Sequence, residues 1–143
     1  MKAINPATNQ LIKDYDEHDE NQVKDILEKV DNDFKSWSRT DFTHRSKLMM
    51  KAAEVLKKNK EDYARTMAME MGKPITEARS EAEKCAWVCE YYAENAEKFL
   101  ADMEIKTDAS RSFVAFEPLG TVLAVMPWNF PFWQVFRFAA PAL

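Results

Sequence analysis

The sequence predicts an α/β fold that is helix-rich over its first hundred residues and turns to strand only near its end. Three observations predict it. Apolar residues recur at three- and four-residue steps from about residue 20 to residue 99, and the pattern changes to period two between 102 and 116. Last comes Leu119 to Leu143, LGTVLAVMPWNFPFWQVFRFAAPAL, whose only charge is Arg137 and which gathers Trp128, Phe130, Phe132, Trp133, Phe136 and Phe138. Such a segment is expected to be buried.

In chain order, Ala3-Ile4, the Asn5-Pro6 turn and Leu11-Ile12 predict a short surface hairpin. Asp19 and Gln22 form a capping-box start, after which Val23, Ile26, Leu27, Val30, Phe34 and Trp37 make the wide apolar stripe of a first helix. A second helix is expected from about Thr43 to Asn59, burying Leu48, Met49, Ala52, Ala53 and Leu56. A third, from about Lys60 to Met71, carries Tyr63, Ala64, Met67 and Met71; Gly72 serves as its left-handed C-terminal cap and Pro74 blocks continuation.

From Thr76 a long helix is expected. Its narrow seam of Ala78, Ala82, Cys85, Cys89, Tyr92, Ala96 and Phe99 favours close packing within a globular domain over a coiled-coil partner. Beyond Asp102 two strands are predicted around Met103 and Ile105 and around Phe113 to Phe116, with Asp108-Ala109-Ser110 as the turn; left alone, they would be an exposed edge. Pro118-Leu119-Gly120 then sets off Thr121 to Met126, a β-branched run read as a strand buried on both faces. Pro127 ends that strand, and Pro131 suits the first turn of a helix through Trp133, Phe136 and Ala140. Asn129 falls between strand and helix, where open α/β sheets place ligands.

Composition narrows the function classes. A net charge of −4 and a pI near 5.3 argue against a nucleic-acid interface, which needs clustered Lys and Arg. Leu119 to Phe136 is free of charge, but Pro127, Asn129, Pro131 and Gln134 interrupt it, so a membrane span is not expected. Two cysteines, many methionines and no signal-type start point to a reducing, cytoplasmic setting. The chain stops at Pro141-Ala142-Leu143 in the middle of an apolar helix without a cap, which suggests truncation.

The segment PWNFP at Pro127 to Pro131, with the apolar strand before it and VFRFAAPAL after it, resembles the aldehyde dehydrogenase superfamily, most closely its succinate-semialdehyde dehydrogenase branch. NPAT at Asn5 to Thr8, EMGKP at Glu70 to Pro74, Glu77-Ala78 and the Pro-Leu-Gly turn match in the family's own order. The resemblance covers essentially all 143 residues. It implies a helix-rich, amino-terminal part of a Rossmann-like cofactor domain binding NAD or NADP. Residues 1–101 would be hairpin and helices, 102–118 a β-arm for oligomerisation, and 119–143 the first strand and helix of the sheet, with the catalytic domain absent. A homo-oligomeric parent that oxidises an aldehyde, with succinic semialdehyde as the expected substrate, follows from the same resemblance.

Asn129 is the leading candidate for chemistry. From physics alone an asparagine there caps a helix or stabilises a turn; in the family the matching amide donates to the oxyanion formed when a cysteine thiolate adds to the aldehyde. Met126, Pro127 and Trp128 match positions that line the nicotinamide cofactor, although an aromatic there otherwise reads as core. Arg137 lies about 12 Å beyond Asn129 along a helix, a spacing into which a four-carbon semialdehyde fits with its carboxylate on the guanidinium. Its isolation in an apolar segment calls for a partner, and the matching arginine of the branch contacts cofactor and substrate.

The remaining polar residues read as structural. Cys85 and Cys89 share a helix face without other ligand types, so no metal site is expected and both read as buried thiols. His18 and His44 read as surface residues, and Glu77, Glu81 and Glu83 as a solvated helix face. Lys73 has no phosphate-binding glycines around it, since Gly72 and Gly120 are the only glycines. The family's nucleophilic cysteine, water-activating glutamate and cofactor-ribose lysine are expected beyond Leu143, so the chain by itself is expected to be inactive. The alternative is a non-catalytic helical module that binds a partner through its strands and an exposed apolar patch.

Overall fold

A computed structural model describes every residue from Met1 to Leu143. A hairpin of β1 (Lys2–Ile4) and β2 (Leu11–Asp14) opens the chain, followed by α1 (Glu20–Trp37), α2 (Phe42–Lys58), α3 (Lys60–Met71) and α4 (Ile75–Phe99). The arm of β3 (Met103–Glu104) and β4 (Phe113–Val114) comes next, and α5 (Pro131–Ala142) closes the chain.

Local chemistry sets these boundaries. Asp19 accepts the Gln22 N–H while the Gln22 side chain accepts the Asp19 N–H, the capping box expected at the start of α1. Asp41 caps α2 by accepting from His44. Gly72 ends α3 at φ 72°, a left-handed conformation that costs a residue with a Cβ about 1–2 kcal/mol. That reversal turns Lys73 inward, and Pro74 precedes the first turn of α4.

α4 is the central element and packs against α2, α3 and α5. One buried cluster joins Ala53 and Leu56 of α2 to Cys85, Ala86, Val88 and Cys89 of α4 and Ala140 of α5; a second joins Ala64 and Met67 to Ala78 and Ala82. Phe132 of α5 packs against both clusters, its ring centroid 4.9 Å from that of Tyr63. The small residues of the α4 seam let three helices approach one axis, as expected for a globular partner. Leu48, expected in the core, is 45 % exposed, because only the Ala53 and Leu56 face of α2 meets α4.

Thirteen residues are buried, all of them in α2 to α5 or at Lys73. α1 buries none despite its apolar stripe. The arm forms as expected: Met103 pairs with Val114 and Glu104 with Phe113, and the Thr107 and Ser112 hydroxyls meet at 2.7 Å across the turn. Its Ile105 and Phe113 are half exposed.

The run Thr121 to Met126 departs from expectation. It is neither paired nor buried, and Leu123 and Val125 are each 86 % exposed. A strand buried on both faces needs neighbours that complete its ladder and cover its sides. The two sheets of residues 1–143 are both two-stranded hairpins, and that run pairs with neither.

Candidate functional site

α5 begins with Pro131 at its first position and Phe130 as N-cap, so no local side chain can accept its first free N–H groups. Glu81 of α4 does so instead: its Oε1 accepts from Phe132 N at 3.0 Å and from Trp133 N at 2.9 Å. Its Oε2 pairs with the Lys73 ammonium, and both side chains are buried, Glu81 at 4 % and Lys73 at 8 % exposure. Lys73 Nζ also lies 3.8 Å from the centroid of the Phe130 ring.

This overturns the reading of Glu81 as part of a solvated face. Glu77 and Glu83 are exposed, Glu83 pairing with Lys60 at 2.7 Å, but Glu81 sits three residues after Ala78 and four before Cys85, on the seam itself. Its place on the seam was the one feature visible in sequence, and it does not say what would meet the carboxylate there.

Between α4 and α5 runs a groove of about 590 Å³. Thr76, Glu77, Ser80, Glu81 and Lys84 form one wall, and Asn129, Phe130, Trp133, Gln134 and Arg137 form the other, with Lys73 at the floor. Asn129 and Arg137, both singled out by sequence, are thus brought to one groove. Asn129 is exposed and is not the helix cap, which leaves its amide available to a ligand. Arg137 is exposed and borders the groove, so water meets its charge. Lys84 lies 4.0 Å from the Trp133 ring centroid, so two cations, Lys84 and Arg137, border the groove beyond the neutralised Lys73–Glu81 pair. Met126, Pro127 and Trp128 lie outside the groove on the exposed run, with Trp128 76 % exposed.

The thiols are unreactive by environment. Burial, then the Glu81 carboxylate and Cys89, push Cys85 up to about 12, against the opposing pull of Lys84 and Lys73. Burial and then Glu90 raise Cys89 to about 11. At neutral pH a thiol of pKa about 12 is thiolate in about one molecule in 10⁵, so neither cysteine is an activated nucleophile. His18 and His44 are exposed, and no group of His, Cys, Asp and Glu is placed to hold a metal ion. No helix is long and apolar enough to cross a membrane.

An exposed run, a turn bearing an amide and a helix bearing one arginine thus follow one another beside the helical layer. The sequence model of the Aldehyde dehydrogenase family matches residues 1–143, and the chain belongs to that family of oxidoreductases. Over 143 residues it is 49 % identical to a Synechocystis sp. protein named "Probable succinate-semialdehyde dehydrogenase (NADP(+))", covering all of this chain and 32 % of that protein. Its identity to the succinate-semialdehyde dehydrogenase (NADP(+)) of Mycobacterium leprae is 43 % over 146 residues, again 100 % of this chain and 32 % of the relative. Among solved structures, the succinic semialdehyde dehydrogenase of Streptococcus pyogenes in complex with NADP+ superposes with a TM-score of 0.94 at 33 % identity, over 99 % of this chain and 31 % of that one. The chain therefore spans about a third of the length of the relatives it matches.

Proposed function

We propose that residues 1–143 form the amino-terminal third of an NADP- or NAD-dependent dehydrogenase that oxidises a carboxylate-bearing aldehyde, succinic semialdehyde being the preferred candidate. The observation that carries this reading is the shared groove of Asn129 and Arg137. One supplies a neutral N–H donor and the other a guanidinium further along α5, a pair of groups suited to a short molecule with an aldehyde at one end and a carboxylate at the other. The names of the relatives, which specify succinate semialdehyde and NADP(+), point the same way.

In this reading the Asn129 amide donates to the carbonyl oxygen as negative charge develops there during thiolate addition. Arg137 holds the far carboxylate and so sets the distance from which the aldehyde presents itself. The adding thiolate and the group that activates water would come from outside residues 1–143, as the family resemblance implies, since Cys85 and Cys89 are buried with their thiol pKa values pushed up. A bound nicotinamide cofactor supplies the hydride acceptor.

The residues present fit one end of that cofactor. Met126, Pro127 and Trp128 offer an exposed thioether, ring and indole suited to lie against a flat ring. The first amides of α5, the usual place for a phosphate, are already taken by Glu81, so the pyrophosphate is held elsewhere. The exposed β3–β4 arm supports a homo-oligomeric assembly.

The test is a chimera in which residues 1–143 replace the matching third of the Synechocystis relative, assayed with NADP+ on succinic semialdehyde and on butanal. A higher kcat/KM for the acid semialdehyde is expected; equal values on both would sink the substrate assignment. Purified 1–143 alone is expected to produce no NADPH. A second reading, a non-catalytic module, draws on the exposure of Leu119, Leu123, Val125 and Trp128. An active chimera with a soluble, monomeric 1–143 chain counts against it.

A further inference from the structure

The turn that carries Asn129 has little core of its own. Residues 121 to 130 are all exposed, and the chain reaches the buried layer only at α5. Three fixed contacts nevertheless follow directly after Asn129. Phe130 beside it lies under the Lys73 ammonium at 3.8 Å, and the N–H groups of Phe132 and Trp133 are held by one Glu81 oxygen at 3.0 and 2.9 Å. The other Glu81 oxygen holds Lys73, so a single buried ion pair grips the chain on both sides of Pro131.

Stability alone is a poor account of such a pair. Desolvating a carboxylate and an ammonium offsets most of their attraction, and apolar side chains of similar volume often do as well. Apolar packing, however, cannot dictate the direction of a helix start. Two N–H bonds to one carboxylate, with a cation over the adjoining ring, constrain where the first turn begins and hence where the preceding residue points.

We propose that Lys73 and Glu81 are positioning residues whose ion pair orients the Trp128–Phe130 turn and so holds the Asn129 amide at the groove. This rests on the reading of Asn129 as the amide that meets substrate, but the two fail separately. Order at Asn129 is read by NMR in chain 1–143 without substrate, whereas the role of the amide is read by kinetics in the chimera.

In the wild-type chain, the Phe132 and Trp133 amides are expected to exchange with solvent about 10- to 100-fold more slowly than unbonded amides, the factor of a charge-assisted hydrogen bond. The Asn129 side-chain amide is expected to give one dispersed pair of signals. In Glu81→Ala the protection is lost and those signals move to random-coil positions, while circular dichroism shows the helices retained. Glu81→Gln keeps an oxygen acceptor for the two N–H groups but sets a neutral amide against Lys73, so it restores the Asn129 signals only in part; full restoration would show that the ion pair is not what holds the turn. A merely stabilising role would lower the melting temperature in Glu81→Ala yet leave the Asn129 signals in place, and that result overturns the proposal, as does a Gln variant no better than Ala. If Glu81→Ala does not fold, wild-type exchange decides: unprotected Phe132 and Trp133 amides refute it.

Discussion

The Glu81 carboxylate accepts the backbone N–H of Trp133 at 2.9 Å across 52 positions of sequence. A side chain from the middle of α4 thus does for α5 what an N-cap residue ordinarily does for its own helix. Removing it leaves three groups unpartnered at once: two part-buried helix-start amides and the buried Lys73 ammonium.

Glu81→Ala is therefore expected to destabilise the chain by about 3–5 kcal/mol, the range for breaking a buried pair from one side. Lys73→Met, which leaves the carboxylate its two N–H donors, is expected to cost less. The double variant Lys73→Met/Glu81→Leu should cost less than the sum of the single changes, because no unpaired charge remains. Urea unfolding midpoints check this; additive losses would mean that the pair is not coupled.

The cysteines give a pH signature. Both have folded-state pKa values raised above 9.0, to about 12 for Cys85 and about 11 for Cys89, mainly by burial. Their protonated form is thus favoured in the folded state, so the stability linked to it is complete below about pH 9 and is lost as pH rises toward 11–12. The unfolding midpoint of the wild type is expected to fall more steeply above pH 9 than that of a Cys85→Ala/Cys89→Ala variant. In the folded state at pH 8, neither thiol should react with a thiol reagent on the timescale of a denatured control.

Gly72→Ala tests the turn behind Lys73. The backbone there is at φ 72°, and an added Cβ would come within 3.2 Å of the Pro6 ring. A loss of about 1–2 kcal/mol is expected from the left-handed strain, read as a melting temperature several degrees lower. An unchanged melting temperature would show that the turn relaxes freely.

In the chimera, Asn129→Ala is expected to lower kcat about 10²- to 10³-fold, as for loss of one oxyanion donor. Arg137→Gln should instead raise KM for succinic semialdehyde while leaving butanal kinetics nearly unchanged. Equal effects of Arg137→Gln on both substrates would assign the arginine to the fold rather than to the carboxylate.

Much of this molecule was legible from local pattern. The Asp19–Gln22 box, the left-handed Gly72, Pro131 at the start of α5 and the small-residue seam of α4 all depend on residues within a turn or two of one another. Asn129 and Arg137 were singled out from the turn between the prolines and from the lone charge of an apolar segment, and helix geometry fixes the spacing only from Pro131 onward. Glu81 was not, since a carboxylate between Ser80 and Ala82 looks the same from sequence whether its face meets water or a helix start 51 residues away.

By itself, then, the sequence determined the helices, the Asp19–Gln22 and Gly72 caps and the family, because propensity, capping and periodicity act over short separations, and it named Asn129 and Arg137 as candidates. Only the tertiary structure decided that Lys73 and Glu81 are buried together and that Arg137 faces the groove. It also decided that Thr121 to Met126 lies exposed, where composition pointed inward. The reason is physical: burial and strand pairing depend on which surfaces other parts of the chain bring up against a segment, and apolar side chains alone do not supply that neighbour.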